Sequence, residues 1–423
     1  MSPATACTPG PDAIVDATPD GPSRASTAPA TNMPHFNPLV AALATPPIPL
    51  IQGWAQAYDA RHGPLIDLSQ AVPGYPPHPR MLAALAAAAG SPASAGYGPI
   101  EGEAALRSAY ASDLNALYGG DVDAADVHIT AGCNQAFAAA ILALIGPGEQ
   151  VALLSPFYFN HQTTLAMLGV GCVTINCHAA QGFVPDLAAI EAALAPAVRA
   201  LVLITPNNPT GAVYPPPLLD EIFALCKRRG LWLLVDETYR DFLPAASTSA
   251  PPHALFRDSA WRDNLVALYS FSKSFCIPGH RVGALSASPA VVAQVVKVMD
   301  NLQICAPRAP QMALARGLGE LVEWREANRV EISNRAQTFR GTLALAPGWR
   351  LDAIGAYFAY VRHPFANLDS EQVAQRLATE VGVLTLPGSL FGQGQQRHLR
   401  MAFANADSAT IRQLSARLLA LGA

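Results

Sequence analysis

Charge is scarce in this chain. Of its 423 residues only 14% are charged, and the formal balance is −4. No basic surplus is present to hold nucleic acid or an anionic membrane surface. Paired cysteines are missing too: Cys7, Cys133, Cys172, Cys177, Cys226, Cys276 and Cys305 are scattered, odd in number and without a CxxC spacing. That argues against a disulfide framework or a zinc site and fits a reducing cytoplasm. No apolar run is long enough to span a bilayer; the run at 137–145 stops at Gly146-Pro147-Gly148. The amino terminus lacks the basic stretch and following apolar segment of a secretory signal.

What is plentiful is apolar side chain, 51% of the residues. Over this length that suffices for one large body and a smaller one, each with its own core. Residues 1–35 are rich in Pro, Ala, Ser and Thr, with Arg24 their only Lys or Arg. They cannot bury a core and are expected to be disordered. Residues 36–65 follow, with helical periodicity beginning near Pro49-Leu50-Ile51 and Trp54 and Tyr58 at i, i+4 spacing; this segment is expected to join the smaller body.

From about Tyr97 to Pro307 apolar strands alternate with amphipathic helices. Seven strands are expected, at 127–129, 150–154, 172–176, 200–204, 231–235, 265–269 and 282–285. The alternation predicts an α/β body over 66–307 with a mostly parallel seven-stranded sheet sandwiched by helices. Residues 270–281 are short for a crossover helix, so an antiparallel strand is expected to enter there. Residues 308–423 change character. One long helical stretch near 309–345, short strands at 356–361 and 398–404, and a final helix over 408–421 predict a smaller α+β domain.

In an open α/β sheet, chemistry gathers at the carboxyl ends of the strands. Asp236 closes the run Leu231-Trp-Leu-Leu-Val235, where a buried acid needs a partner. Alone it is better explained as a helix cap or loop acid; the functional alternative is a carboxylate that keeps a ring nitrogen protonated, with Tyr239 one helical turn away. Lys273 lies in Tyr269-Ser-Phe-Ser-Lys-Ser-Phe275 among Ser270, Ser272 and Ser274, and Arg281 follows in the same loop. A loop lysine is usually solvated, yet hydroxyls plus a guanidinium suit a phosphate monoester, and a lysine of lowered pKa forms Schiff bases. Gly132-Cys133-Asn134 opens a helix after a strand, where free amides bind phosphate, although many helices begin this way. Thr205-Pro-Asn-Asn-Pro-Thr-Gly211 specifies a fixed turn: either a structural loop or a rigid mount for the Asn208 amide. Arg400 sits between Leu399 and Met401 in an expected strand and wants a buried anion, from a structural carboxylate or a substrate one.

Together these segments resemble the class I aminotransferases of the aspartate aminotransferase fold, the pyridoxal-phosphate fold type I. The resemblance spans roughly Ile66 to Ala404. Its segments occur in the family's order: Ile66-Asp-Leu-Ser-Gln70, Tyr97-Gly-Pro-Ile-Glu-Gly102 with Leu106-Arg107, Ile129-Thr-Ala-Gly132, Pro147-Gly148 with Ser155-Pro-Phe-Tyr158, Asn207-Asn-Pro-Thr-Gly211, Asp236-Glu-Thr-Tyr239, Ser270-Phe-Ser-Lys273 with Arg281-Val-Gly283, and Pro387-Gly388 with Arg400. Each fragment alone is modestly specific; eight in order are hard to obtain by chance.

The resemblance implies a pyridoxal 5'-phosphate-dependent transaminase that moves an amino group from an L-amino acid to a 2-oxo acid by ping-pong kinetics. Lys273 would carry the cofactor as a Schiff base and shuttle the proton. Asp236 would pair with the pyridine nitrogen, oriented by His161. Asn208 and Tyr239 would bond the phenolic oxygen, and Tyr158 would stack on the ring. Ser270, Ser272, Arg281 and the amides of Gly132, Cys133 and Asn134 would hold the phosphate, reached also by Tyr97 of the partner in a homodimer with shared sites. Arg400 would clamp the substrate carboxylate, with Asn208 and Ala71 beside it. Holding one carboxylate at Arg400 favours breaking the Cα–H bond over decarboxylation. The peptides before Pro156 and Pro209 would be cis, a form that only about 5–6% of such bonds adopt.

Two departures stand out. Cys276 occupies a position where the family's lysine motif usually has a small residue such as Gly, Ser or Ala; cysteine is small enough for no loss to be expected. The partner arginine that reads a second carboxylate in aspartate-specific members falls near Asp300, which argues against dicarboxylate specificity. Phe36, Tyr75, Phe157 and Phe159 surround the expected entrance and suit either an apolar substrate or plain packing. Alternative readings are a β-lyase, racemase or synthase on the same scaffold, a transcription regulator and a pseudoenzyme. Residues 1–35 are too short for a DNA-binding module, and all the catalytic residue types are present.

Overall fold

The computed structural model describes residues 34–244 and 251–422. The expectation of disorder for 1–35 therefore falls almost wholly outside the described residues.

The seven-stranded sheet forms from β1 (Val127–Thr130), β2 (Gln150–Ser155), β3 (Gly171–Asn176), β4 (Val198–Ile204), β5 (Trp232–Asp236), β6 (Leu265–Ser270) and β7 (Gly283–Ser286), in the order β1-β7-β6-β5-β4-β2-β3. All neighbours are parallel except those of β7, which runs antiparallel to both β1 and β6. The short 271–282 connection explains this: it returns the chain along the neighbouring strand rather than crossing over. Along β5, Leu233 and Val235 enter one core while Leu234 enters another on the opposite face. Burial on both faces is why these strands read as unbroken apolar runs. The edge strand β3 alternates half-buried and exposed positions over most of its length instead.

A second sheet is antiparallel: Leu386–Pro387, then β10 (His398–Ala402), β9 (Phe358–Arg362) and β8 (Arg350–Gly355). Its core holds Ile332, Phe339, Tyr357, Phe403 and Leu418, and also Ile66 and Leu68, since the strand Ile66–Asp67 pairs with Val383–Leu384. β8 was not expected from the sequence, nor were the two-residue strands. Their alternation is too short or too polar to register.

Two helical expectations need correction. The stretch at 309–345 is two helices, Arg308–Glu320 and Val322–Leu343. Between them Leu321 leaves helical geometry at φ −115° and ψ 22°, close after Gly317 and Gly319, which weaken a helix. The last helix is divided at Gln413 into Ser408–Arg412 and Leu414–Ala420. The amino-terminal helix runs Pro47–Trp54. Among the described residues no helix is long and apolar enough to cross a membrane.

Candidate active site

Most of the candidate side chains project from one edge of the large sheet. Asp236 is the last residue of β5, Lys273 lies in the helical turn Phe271–Ser274 after β6, and Cys133 opens the helix Cys133–Leu144 after β1. Because β7 is antiparallel, the residue two before it, Arg281, arrives at that same edge. Arg400 comes from the second sheet, on β10. These residues border one cavity of about 640 Å³, whose walls also include Asn134, Tyr158, Asn208, Tyr239, Ser270, Ser272 and Ala71. Sequence segments 331 residues apart, Ser69 and Arg400, thus converge.

Asp236 is buried. Its Oδ2 lies 3.4 Å from His161 Nε2, and its Oδ1 accepts the Thr238 amide at 2.9 Å. Burial pushes the carboxyl up, but His161 and Thr238 together outweigh that and hold it below the usual carboxylate value. The His161 ring is fixed by stacking on Phe137 at 4.0 Å.

Lys273 is enclosed, and its Nζ donates to the Ala71 carbonyl at 2.8 Å. That carbonyl also accepts from the Tyr357 hydroxyl at 3.1 Å. Burial, then the cationic charges of Arg400 and Arg281, bring the amine down to about 8. The chain has three lysines, and the other two, Lys227 and Lys297, are exposed. The rarity of lysine is a signal the sequence held and the motif reading did not use.

Arg400 is 2% exposed and has no acidic partner among the described residues. It donates to Asn208 Oδ1 at 3.1 Å and to the Ser69 carbonyl, and its Nε is left without a partner. Burial brings its guanidinium down to about 10. Of the two alternatives the sequence left open, a structural carboxylate finds no support: among the described residues no acid pairs with this cation. Asn208 in turn donates to the Tyr239 hydroxyl at 3.2 Å, so the two residues named for one ligand oxygen do meet.

A tightly packed turn lies at the start of the helix Cys133–Leu144. Gly132 has φ 91°, and a Cβ there would collide with the Arg281 guanidinium. A Cβ on Gly283 would come within 2.6 Å of the Gly132 backbone. Arg281 itself is left-handed at φ 51°, as is Cys276 at φ 57°, a region that favours glycine. The Ser272 hydroxyl is buried without a partner. Pyridoxal phosphate fits this donor set: amides, hydroxyls and a guanidinium at one end, an ionised acid and an enclosed amine at the other. Tyr158 borders the cavity, its hydroxyl bonded by Asn160 at 2.7 Å. Tyr97 does not border it and is 80% exposed. The peptides Ser155–Pro156 and Asn208–Pro209 are cis as expected, and Thr205–Pro206 is cis as well.

Some contributors escaped the sequence reading. Thr238 and the Ser69 carbonyl act through backbone atoms, which no residue letter reveals; an Asp-x-Thr turn was the only hint for the first. The start of the helix Pro47–Trp54 also borders the cavity. Of the four entrance aromatics only Phe159 does; Tyr75 packs edge-on against Trp324 at 6.1 Å. Behind Lys273, Ser274 Oγ and Asp241 each lie 2.7 Å from the Tyr269 hydroxyl, and Asp241 is paired with Arg325 at 3.2 Å.

Comparison with known proteins agrees with this geometry. The family model for aminotransferase class I and II matches residues 63–418. An aromatic aminotransferase of Arabidopsis thaliana is 28% identical over 84% of this chain and 88% of its own. A valine–pyruvate aminotransferase of Mycobacterium tuberculosis is 30% identical over 85% and 92%. Among solved structures, an aspartate aminotransferase double mutant of Thermus thermophilus superposes with a TM-score of 0.84 over 92% of this chain and all of its own, at 24% identity; it shares the fold.

Proposed function

This chain belongs to the class I and II aminotransferases, and we propose how its own residues divide the work of that reaction. It is a pyridoxal-phosphate-dependent transaminase. When bound, the cofactor supplies an aldehyde for amines and a ring that accepts electrons.

Lys273 holds the cofactor and moves the proton at the substrate Cα. An amine brought down to about 8 is neutral often enough near physiological pH to act as a base. Asp236, kept ionised by His161 and Thr238, maintains the proton on the ring nitrogen. Asn208 and Tyr239 share the phenolic oxygen, and Tyr158 covers the ring. Ser270, Ser272, Arg281 and the amides of Gly132, Cys133 and Asn134 bind the phosphate. Arg400, steadied by Asn208, takes the carboxylate of an L-amino acid or a 2-oxo acid beside Ala71. Using one site for both half-reactions makes the kinetics ping-pong.

We also propose a homodimer, in which the exposed Tyr97 reaches the partner's phosphate site. The six described cysteines are free, which suits a cytoplasmic protein. Residues 66–307 would form the cofactor-holding body and 308–423, with 36–65, the smaller one. The strand Ile66–Asp67 lies at their seam, because it pairs with Val383–Leu384.

The observation that carries this reading is the meeting of the only enclosed lysine, an ionised buried acid and an acid-free buried arginine on one cavity. Borohydride reduction of the holoenzyme followed by peptide mass mapping tests it. The pyridoxyl group is expected on Lys273, and Lys273→Ala is expected to lose both the adduct and turnover. An adduct on Lys227 or Lys297 instead, or full activity in Lys273→Ala, would sink the assignment.

A further inference from the structure

We propose that the amino donor is a monocarboxylic amino acid with an uncharged, predominantly apolar side chain, selected by a wall made of Phe159, Leu390 and the proline-blocked helix start Pro46-Pro47-Ile48. This rests on the reading above and deepens it.

The cavity is bordered by four charged side chains: Asp236, Lys273, Arg281 and Arg400. Each already has a task, toward the ring nitrogen, the aldehyde, the phosphate and the α-carboxylate respectively. A phosphate monoester carries up to about two negative charges, so Arg281 is fully engaged by that group. Among the residues of this chain that border the cavity, no cation remains for a second carboxylate.

The rest of that lining is uncharged: Phe159 and Leu390 are apolar, and Asn160, Gln162, Thr163 and Ser389 beside them are neutral. The Phe391 ring lies 5.5 Å from the Arg400 guanidinium carbon and 5.8 Å from the Phe159 ring. Phe159 and Leu390 are half-buried, pack on the core that includes Phe391, and border the cavity. Phe391 thus links the Arg400 guanidinium to Phe159, and this apolar patch shares the cavity with Arg400.

The helix start completes the argument. A helix amino terminus is ordinarily a ready anion site, because its first amides point outward unpaired. Here the helix Pro47–Trp54 begins Pro-Ile-Pro, and Pro46 precedes it as the cap with no side-chain hydrogen bond. Three of those four positions have no N–H at all. Pro46, Pro47 and Ile48 border the cavity, so the terminus presents rings and a branched alkyl group rather than donors. An acidic side chain would be desolvated there without a partner.

The test uses the holoenzyme. Half-reaction rates are followed spectroscopically with leucine and phenylalanine against aspartate, glutamate and arginine. Binding of 3-phenylpropionate and succinate is measured in parallel by calorimetry. The apolar donors should exceed the charged ones in kcat/KM by roughly 100-fold or more, the scale expected for an unpaired buried charge. Binding of 3-phenylpropionate should be tighter than that of succinate by a similar factor. Leu390→Arg, which adds a cation at a half-buried position on the cavity wall, should narrow both ratios by about 10-fold. A charged donor as good as leucine or phenylalanine, or equal binding of the two acids, overturns the inference while an adduct on Lys273 leaves the parent reading intact. Reduction that leaves Lys273 unmodified removes the parent reading and this inference with it.

Discussion

Lys273 makes a quantitative expectation possible. Its amine is protonated below its pKa and neutral above it, and the enclosing site lowers that pKa to about 8. In the cofactor-free protein, acetylation of Lys273 should rise through a midpoint near pH 8, read by mass spectrometry of a chain with only three lysines. Arg400→Met and Arg281→Met should each move that midpoint upward, because each deletes a cation that opposes protonation. Arg400→Met carries a second expectation. Its guanidinium is buried without an acid, so removal should not unfold the protein: stability should change by less than about 1 kcal/mol or rise. Meanwhile kcat/KM should fall by roughly 100-fold or more. A large loss of stability instead would restore a structural role. At this scale the sequence was legible where identity and position coincide. Asp236 and Lys273 follow strands and carry chemistry in their side chains. The role of Arg400 stayed open because a missing partner is visible only once the chain is folded.

At the scale of elements, the joint between β7 and the helix Cys133–Leu144 is tightest. Gly283 faces the backbone of Gly132 and Cys133, which a Cβ would approach to 2.6 and 2.7 Å. Neither backbone can yield as a side chain can. Gly283→Ala should therefore destabilise the fold by about 1–3 kcal/mol and loosen cofactor binding, measured by urea unfolding and by equilibrium dialysis of pyridoxal phosphate. Unchanged affinity would mean that the proposed phosphate site tolerates a shift of this joint. Most of the seven strands were legible as apolar runs, the edge strand β3 by its alternation, and even the reversal of β7 followed from the brevity of residues 271–282. The break at Leu321 was not, since Leu321 is itself a good helix former and Gly317 and Gly319 weaken a helix without fixing where it ends. Likewise Ile66–Asp67 owes its existence to Val383–Leu384, far along the chain.

For the molecule as a whole, charged groups tie the long helix Val322–Leu343 to the large sheet and its helices. Arg325 bonds Asp113 at 3.1 Å and Asp241 at 3.2 Å, while Arg240 also holds Asp113 at 3.1 Å. Arg325→Ala would leave Asp241 with only Tyr269 for support. A loss of about 1–3 kcal/mol is expected in chemical unfolding; two separate transitions would show that these contacts alone couple the bodies. The proposed assembly has its own check: sedimentation should give twice the chain mass, and Tyr97→Phe should weaken cofactor affinity without dissociating the dimer. The smaller α+β body was legible in outline from the change of pattern after residue 307. The contacts across the seam were not, because charged residues in a polar helix read as solvent-facing until their partners are located.

The doubly bonded carbonyl of Ala71 has a consequence for turnover. An oxygen that depended on Lys273 alone would lose its one protein donor whenever the amine turned elsewhere. With the Tyr357 hydroxyl also bonded to it, that oxygen keeps a donor through the whole cycle. The lysine can come and go across a floor that stays still.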